Sequence, residues 1–482
     1  MSNIQNINFS QVKVDEITKT LLENLFKKFK IEKFLSKAGI VKARGIQISL
    51  MLCIMFYISF KSKKSIHAGL TELELSKHKN AYHRLLNEPY YDWRNFMLST
   101  AKHYTEQHSA DESEECCLIV DDTKKKKSGN RVENISWFYD HSEGSYFMGY
   151  QATFLAWYNG RTCIFLDFSL KTGKKRCKDS KKAIYPKKSH IAKRVTESRL
   201  KKSELAIIMM IRRAIKRNIK FDYILWDSWY NSSDSFKFVY DVLLPKGKHL
   251  ISMVKKNDEK YYYKGKEMTI KQICKSIKKW KENEKGIKYK SATVGIINES
   301  SKEREVMGEV KMCFYSFPST KRKNFKTIIS TNIELTEEGV LEKYTNRWPI
   351  EIAIKDLKQC MGFDHSMSST YASQIADLTL RCVFYNMLCS EKDRNPRKSI
   401  HQLTIQFSNK LEDQCIGEYI KCILKHAVKQ ILAYAKSLGY SDIDDLICVT
   451  EKIIDDFWLS EFYEEKIVEV GDKWKNQPKK SA

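Results

Sequence analysis

The sequence lacks the cysteine patterns of a zinc site or a disulfide framework. Its 13 cysteines are scattered over 482 residues, with no Cys-x-x-Cys pair and no Cys/His cluster at zinc spacing. An odd count in a chain of this length is atypical of small secreted proteins that are held together by disulfides. We therefore expect reduced, mostly buried thiols in a cytoplasmic protein.

The sequence also lacks a signal-peptide pattern, internal repeats and an apolar run long enough to cross a membrane. Residues 1–10 are polar, and the best membrane candidate, 46–60, is too short to span and contains Gln47 and Ser49. We expect a buried helix at 46–60 and no membrane partner.

Acidic residues are few relative to basic ones. The chain has 85 Lys and Arg against 59 Asp and Glu, which gives a formal net charge of +26. A protein this basic usually meets a polyanion, most often nucleic acid. Enrichment of solvated surfaces in lysine by a biased genome is the alternative, and composition alone leaves both open.

Two short apolar runs in the centre of the sequence are each followed by acidic residues. Residues 118–120 precede Asp121 and Asp122, and residues 223–226 precede Asp227. Runs of this length predict buried strands. Open α/β sheets place functional sites at strand ends, so these carboxylates are candidate site residues.

Other patterns in the same region predict a hairpin, a helix and a further strand. The β-rich runs 145–158 and 161–170 are joined by Asn159-Gly160, whose residues tolerate positive φ. Residues 197–217 are amphipathic at helical spacing, and 249–254 predict a strand. The order of strands and helices is typical of an α/β fold.

One later segment carries four polar groups at helical spacing. Tyr344, Arg347, Glu351 and Lys358 lie within about 60° of one another on a helix of about 100° per residue. Pro349 predicts that the helix begins there. Such a face suits a metal-binding carboxylate beside cations that hold phosphate, and a solvated, salt-bridged face is the alternative.

The spacing Tyr-x2-Arg-x3-Glu-x6-Lys resembles the signature of DDE transposases of bacterial insertion sequences, in the branch called IS-four. Other motifs are similar to those of the same family, namely Asp-x-Thr at Asp121, Trp226-Asp227, Ser330-Thr331-Asn332 and Arg347-Trp348-x-Ile350-Glu351. The β-rich gap between Asp227 and Glu351 resembles the insertion that this branch carries inside its catalytic fold. The resemblance covers roughly 118–358.

The resemblance implies an α/β protein with a ribonuclease-H-like catalytic core, interrupted by a β-rich insertion and flanked by helical N- and C-terminal regions. The expected organisation is a helical N-terminal region with possible DNA binding at 1–110, the first part of the core at 111–254, the insertion at 255–327, the end of the core with the glutamate helix at 328–400, a helical C-terminal region at 401–472 and a disordered tail at 473–482.

By the same resemblance, the chain is a DNA transposase that cuts and joins DNA strands. Asp121, Asp227 and Glu351 are implied to be the catalytic carboxylates and the ligands of Mg²⁺, with Mn²⁺ as a substitute. Hard divalent ions prefer oxygen ligands, and two of them can stabilise the attacking and leaving oxygens of phosphodiester transfer. Only one of Asp121 and Asp122 should enter the site, because adjacent strand residues face opposite ways; the Asp-x-Thr spacing favours Asp121.

The resemblance implies that Tyr344, Arg347 and Lys358 bind DNA phosphates. The expected partners are double-stranded DNA at the transposon ends and target DNA, with a homodimer in the active complex. Relatives cut and paste through a DNA hairpin, and Trp280 and Phe325 are the candidates for an inserted or stacking aromatic side chain. The alternatives are an inactive or domesticated DNA-binding relative and a metal-dependent DNA nuclease of the same fold.

Two basic stretches near the predicted catalytic strands are also candidates for DNA contacts. Residues 171–194 and Lys124–Lys127 could follow DNA phosphates, or they could be solvated loops. His141 is expected to be structural. Trp229 and Trp348 are expected to lie in the core.

Overall fold

The computed structural model describes residues 21–42, 47–61, 65–72, 79–108, 115–129, 131–140, 143–173, 177–178, 180–200, 203–298, 305–318, 325–394 and 397–406, with 428 and 432. The chain divides into two compact units, of which Leu25–Thr404 is one and Met1–Asn24 with Ile405–Ala482 the other. The second unit lies almost wholly outside the described residues, and so do most of the helical region predicted at 401–472 and the tail at 473–482. The fold below is that of Leu25–Thr404.

Helices make up the regular structure of the described N-terminal residues. They are α1 (Leu21–Lys28), α2 (Ile31–Lys37), α3 (Ile48–Lys61), α4 (Ile66–Glu72), α5 (Lys79–Asn87) and α6 (Trp93–His108). Helix α3 is buried along 51–59, which confirms the buried helix predicted at 46–60. No described helix is both long enough and apolar enough to cross a membrane.

A mixed sheet begins after these helices. Its first strands are β1 (Cys117–Lys126), β2 (Ser136–Asp140), β3 (Ser145–Tyr158), β4 (Cys163–Lys171), β5 (Tyr223–Trp226) and β6 (His249–Met253). Strand β3 pairs antiparallel with β1, β2 and β4, whereas β5 runs parallel to both β1 and β6. The helices between them are α7 (His190–Ser198), α8 (Ser203–Lys216) and α9 (Ser233–Phe238). The predicted mixed α/β architecture is confirmed.

The hairpin predicted around Asn159-Gly160 is confirmed. Gly160 adopts a φ of 87°, which a residue without a side chain tolerates. The Asn159 side chain accepts hydrogen bonds from the backbone N–H groups of Arg161, at 3.2 Å, and Thr162, at 2.9 Å. These bonds close the turn between β3 and β4.

The strands of 255–327 extend the same sheet. They are β7 (Lys260–Tyr263), β8 (Lys266–Thr269), β9 (Lys281–Glu282), β10 (Lys288–Ile297) and β11 (Val306–Ser316), followed by β12 (Lys326–Ser330), with helix α10 (Ile270–Ser276) among them. The order is β2-β3-β1-β5-β6-β12-β11-β10-β7-β8, with β4 beside β3 and β9 beside β10. Strand β12 joins the two halves because it pairs antiparallel with both β6 and β11.

Three helices complete the described unit: α11 (Glu337–Thr345), α12 (Pro349–Cys360) and α13 (Tyr371–Arg394). The predicted start of a helix at Pro349 is confirmed. Helix α12 packs on β1 and β4, while α13 packs on β4 and α6. Helix α6 therefore belongs to the layer that covers the sheet. The described cysteines are buried thiols that form no disulfide with one another, as expected.

The basic stretch 171–194 is not a single solvated loop. Helix α7 begins inside it at His190, because the Ser189 side chain accepts the backbone N–H of Ala192 at 3.1 Å and caps the helix. Arg194 is buried and lies 3.5 Å from Asp167, so it is unavailable to DNA. The helix predicted at 197–217 begins instead at Ser203, since α7 continues to Ser198.

Candidate active site

The second half of β1 directs alternate side chains to one side of the sheet. Asp121 lies 3.6 Å from a guanidinium nitrogen of Arg347. Thr123 accepts a hydrogen bond from the ammonium group of Lys358 at 2.6 Å. Lys125 is fully buried and donates to the carbonyl oxygen of Phe363, which follows α12. These three residues of β1 thus face α12 and the segment after it.

Asp122 has different partners. Its carboxylate accepts a hydrogen bond from the Tyr230 hydroxyl at 2.7 Å and another from the Gln151 amide at 2.5 Å. Alternation along a strand sends neighbouring side chains to opposite faces. The structure therefore brings Asp121, and not Asp122, to Arg347.

Asp227 follows the strand next to β1. In the parallel pair of β1 and β5, Ile119 lies opposite Leu225. Asp121 and Asp227 each lie two residues beyond this last pair, and the charges of both act on Tyr344. The Asp227 carboxylate accepts the backbone N–H of Ser228 at 2.6 Å and caps a short 3-10 turn.

Glu351 lies in the first turn of α12, and Arg347 lies in the turn that precedes this helix. The Arg347 guanidinium donates a hydrogen bond to Glu351 while it also approaches Asp121. One cationic side chain therefore links the Asp121 carboxylate, in the middle of β1, to the Glu351 carboxylate of α12. The strand and the helix meet at this ion pair.

Tyr344 lies at the same place but on α11. Burial raises its pKa to about 12, and the charge of Asp227 and that of Asp121 also raise it, while Arg347 lowers it. The tyrosine is thus in electrostatic range of both aspartates. The four signature residues do not share one helix, because a turn at 346–348 separates α11 from α12.

The surroundings of Asp121 favour a nearby cation. Burial raises the pKa of its carboxyl group to about 7; the charges of Asp122 and Glu351 raise it further, whereas Arg347 lowers it. Within the described part of the chain, no three His, Cys, Asp or Glu side chains lie close enough together to form a metal site. The carboxylates fit a hard divalent ion in kind, and Arg347 supplies the positive charge between two of them.

The Lys358 side chain of α12 contacts β1 at Thr123, rather than lying beside the carboxylates. It is half-buried, and desolvation lowers its pKa; the charges of Lys124 and Lys126 lower it too, while that of Asp364 raises it. The structure therefore brings Arg347 to Asp121 and Glu351 and places Tyr344 in electrostatic range of Asp121 and Asp227. Lys358 lies farther along the same face.

The lysine run at 124–127 is not the exposed phosphate-binding stretch that the sequence suggests. Lys125 is fully buried, and burial lowers its pKa to about 7. Lys127 donates to the carbonyl oxygen of Ser366 at 2.5 Å, and burial lowers its pKa to about 8. Lys124 pairs with Asp140 and Glu143. Lys125 faces inwards because it shares the face of Asp121.

Two tryptophans predicted to be in the core are exposed beside the site. Trp229 is 58% exposed and Trp348 is 59% exposed. Trp229 lies two residues after Asp227 and Trp348 directly after Arg347, each in a turn where the backbone leaves the packed sheet or precedes α12. The Lys255 ammonium lies 3.0 Å from the centre of the Trp229 ring. The sequence pattern did not indicate this exposure, because it depends on which element packs nearby.

The two aromatic candidates Trp280 and Phe325 are half-buried and covered by lysines. Lys290 lies 4.4 Å from the centre of the Trp280 ring, and Lys256 lies 3.9 Å from that of Phe325. Among the contacts of the described residues, neither aromatic ring packs against a carboxylate of the site. His141 lies outside the described residues.

A family model described as DDE superfamily endonuclease matches residues 49–262. The match supports a DDE transposase-like family and a transposase- or nuclease-like function, and it implies a DNA substrate. DDE nucleases typically use divalent metals. Asp121 and Asp227 fall within the matched residues, whereas Glu351 lies beyond them. No curated protein matches the chain.

Proposed function

We propose that the protein is a DNA transposase of the IS-four type, which cuts and joins transposon-end DNA by phosphodiester transfer at Asp121, Asp227 and Glu351. The observation that carries the proposal is the contact of Arg347 with both Asp121 and Glu351. Asp227 is included in the proposal because it directly follows β5, the strand that runs parallel to β1. Three carboxylates from three separate elements leave room for phosphate between them.

The sheet supports a ribonuclease-H-like core within this proposal. Within the strand order β4-β3-β1-β5-β6, the first three strands pair antiparallel. Strand β5 runs parallel to both of its neighbours, β1 and β6. The first two proposed carboxylates lie on β1 and directly after β5. Strands β7 to β11 would then be the insertion, since they lie between Asp227 and Glu351 in the sequence.

Divalent ions, Mg²⁺ or Mn²⁺, held by the three carboxylates would activate water or a 3′-hydroxyl and support the leaving oxygen. The protein's own side chains would hold the DNA. The Arg347 guanidinium has a planar set of donors suited to phosphate. The raised pKa of Tyr344 keeps its hydroxyl protonated at neutral pH, so it can donate to a phosphate oxygen. Lys358 would hold the backbone beyond the cut.

The proposed substrates are double-stranded DNA at the transposon ends and target DNA, in a complex that contains two protomers. Paired ends require two active sites that act in step. A cut-and-paste reaction through a DNA hairpin is part of the proposal, and hairpin ends on the cleaved DNA would identify it. Cleavage without joining would instead identify a metal-dependent nuclease.

The test is an assay on DNA that carries the ends of the element, with Mg²⁺ and with EDTA. Wild-type protein should nick the ends and join them to target DNA only when Mg²⁺ is present. Glu351→Gln should lose nicking and keep DNA binding within a few fold. The control is Glu106→Gln, which changes an exposed glutamate on α6.

Three results separate the alternatives. Normal cutting by Glu351→Gln would contradict the proposed active site. Nicking without joined products would assign a nuclease, and binding without any nicking by wild-type protein would assign an inactive relative. Hairpin ends on the released DNA would support the cut-and-paste route.

A further inference from the structure

A groove of about 1180 Å³ opens at the edge of the sheet beside β2. Trp137, Tyr139 and Tyr146 border it, and they are 46%, 46% and 68% exposed. Large aromatic side chains that border one groove and remain in water mark a binding surface more often than scattered apolar residues do. None of these three residues belongs to the proposed active site.

The three aromatic residues lie on one face of the β2–β3 hairpin. Trp137 and Tyr139 are two residues apart on β2, so their side chains point the same way, about 6.7 Å apart along the strand. Tyr139 lies opposite Tyr146 on β3, and their ring centres are 5.1 Å apart. Together they form a short aromatic row.

The charge of the groove favours an anion. Lys171, Lys182 and Arg199 line it, and no described residue that lines it is acidic. By contrast, a groove of about 1050 Å³ beside Tyr344 is lined by several glutamates. Aromatic faces interleaved with cations suit a polymer that carries both bases and phosphates.

The groove adjoins β1 through one side chain, on the face of the sheet opposite Asp121. Gln151 lines the groove, and its amide donates to the carboxylate of Asp122 at 2.5 Å. Asp122 is the neighbour of Asp121 on β1. The groove therefore adjoins the strand that carries Asp121 but does not open on its carboxylate.

We propose that this groove binds single-stranded DNA, with bases stacked on Trp137 and Tyr146 and phosphates near Lys182 and Arg199. Unpaired bases can expose their faces to aromatic side chains, whereas the bases of a duplex are stacked on one another. The inference rests on the proposed function in one respect, because the bound strand is taken to be the unpaired strand next to the cut.

The test measures binding to a fluorescent single-stranded oligothymidine and to a duplex of the same length, by fluorescence anisotropy in metal-free buffer. The double variant Trp137→Ala/Tyr146→Ala should bind the single strand about tenfold more weakly or worse, since stacking on each aromatic face is lost. Its duplex binding should stay within about twofold of wild type, because the phosphate-binding residues remain. Lys182→Ala should reduce the salt slope of single-strand binding by about 1.

The matched control is Tyr262→Ala, which removes a tyrosine of β7 that is 44% exposed. It should change neither affinity. Thermal unfolding checks that all variants fold. Unchanged single-strand binding by the double variant overturns the inference, and so does an equal loss of single-strand and duplex binding. A changed oligomeric state with intact single-strand binding also overturns it and assigns the face to a second copy of the chain.

Failure of this inference and failure of the proposed function are distinguishable, because the binding assay contains no Mg²⁺ and scores no cleavage. If wild-type protein binds the single strand through Trp137 and Tyr146 but never cuts DNA, the transposase proposal fails and the groove assignment stands. If it cuts DNA but binds the single strand independently of these residues, only the groove assignment fails.

Discussion

At the scale of residues, neighbouring side chains of β1 have contrasting surroundings. Asp121 approaches Arg347, whereas Asp122 accepts hydrogen bonds from Tyr230 and Gln151. The Asp-x-Thr spacing favoured Asp121, but the sequence alone left the choice between the two aspartates open. Their separation arises from the alternation of β1 together with the position of α12, which no local pattern encodes.

This contrast predicts unequal effects of the same substitution. Asp121→Asn should lower the rate of nicking at least about a hundredfold, because an amide is a much poorer ligand for a divalent ion than a carboxylate. Asp122→Asn should keep the rate within about tenfold, since an amide oxygen can still accept the bond from Tyr230. Single-turnover nicking rates measure both, and the reverse order would contradict the assignment of Asp121.

Lys125 gives a pH-dependent prediction. Burial lowers its pKa to about 7 in the folded protein. Between that pH and the ordinary lysine pKa near 10.4, the unfolded chain binds more protons than the folded one, so stability rises with pH. Below pH 7, Lys125 is charged in both the folded and the unfolded chain. Its buried charge then costs stability by an amount that no longer changes with pH.

The free energy of unfolding of the wild type, relative to Lys125→Met, should therefore rise by at least about 1 kcal/mol from pH 7 to pH 9. Urea unfolding at a series of pH values measures it. Lys126→Met, which changes the exposed neighbour, is the control. Parallel pH profiles for the two variants would show that Lys125 does not titrate in this range.

At the scale of elements, the sequence predicted those structures that local signals define. The strand at Tyr223–Trp226 and the helix start at Pro349 agree with the structure, since a short apolar run and a proline act locally. Burial of Lys125 and exposure of Trp348 were missed, because they depend on which element packs nearby. The continuity of the insertion with the central sheet was missed for the same reason.

The close approach of β3 to β1 gives a prediction at this scale. Gly149 adopts a φ of 155°, and a Cβ atom there would lie 2.1 Å from the carbonyl oxygen of Lys125. Gly149→Ala should lower the free energy of unfolding by about 1–3 kcal/mol, because the strands must separate to admit a methyl group.

Gly129→Ala is the matched control, since a Cβ there would meet its nearest atom, in Val132, at an ordinary 3.8 Å. Its effect should stay within about 0.5 kcal/mol. Urea unfolding of both variants compares them directly. Equal stability of the two variants would mean that β1 and β3 do not approach as closely as described.

At the scale of the whole molecule, the net charge of +26 bears on binding to DNA. Several lysines proposed for DNA contact from the sequence are buried or paired, so only the remaining basic parts of the surface can bind phosphates. The groove beside β2, with Lys171, Lys182 and Arg199, is one such part. Surface charge therefore predicts a polyanionic partner better than it predicts which lysines contact it.

Binding to duplex DNA should weaken steeply with salt. Each phosphate contact releases counterions, so the logarithm of the association constant falls linearly with the logarithm of the salt concentration. With about six or more contacts, affinity should fall at least about a thousandfold between 50 mM and 200 mM salt. Anisotropy titrations measure this slope, and a flat response would contradict binding through the basic surface.

The most direct test of the active site is a Mg²⁺-dependent nicking assay on transposon-end DNA with Asp121→Asn, Asp227→Asn and Glu351→Gln, with DNA binding measured in parallel. If the three carboxylates form one site, each single variant should lose nicking at least about a hundredfold and bind DNA within a few fold of wild type. Nicking near the wild-type rate by any one of them would contradict this site.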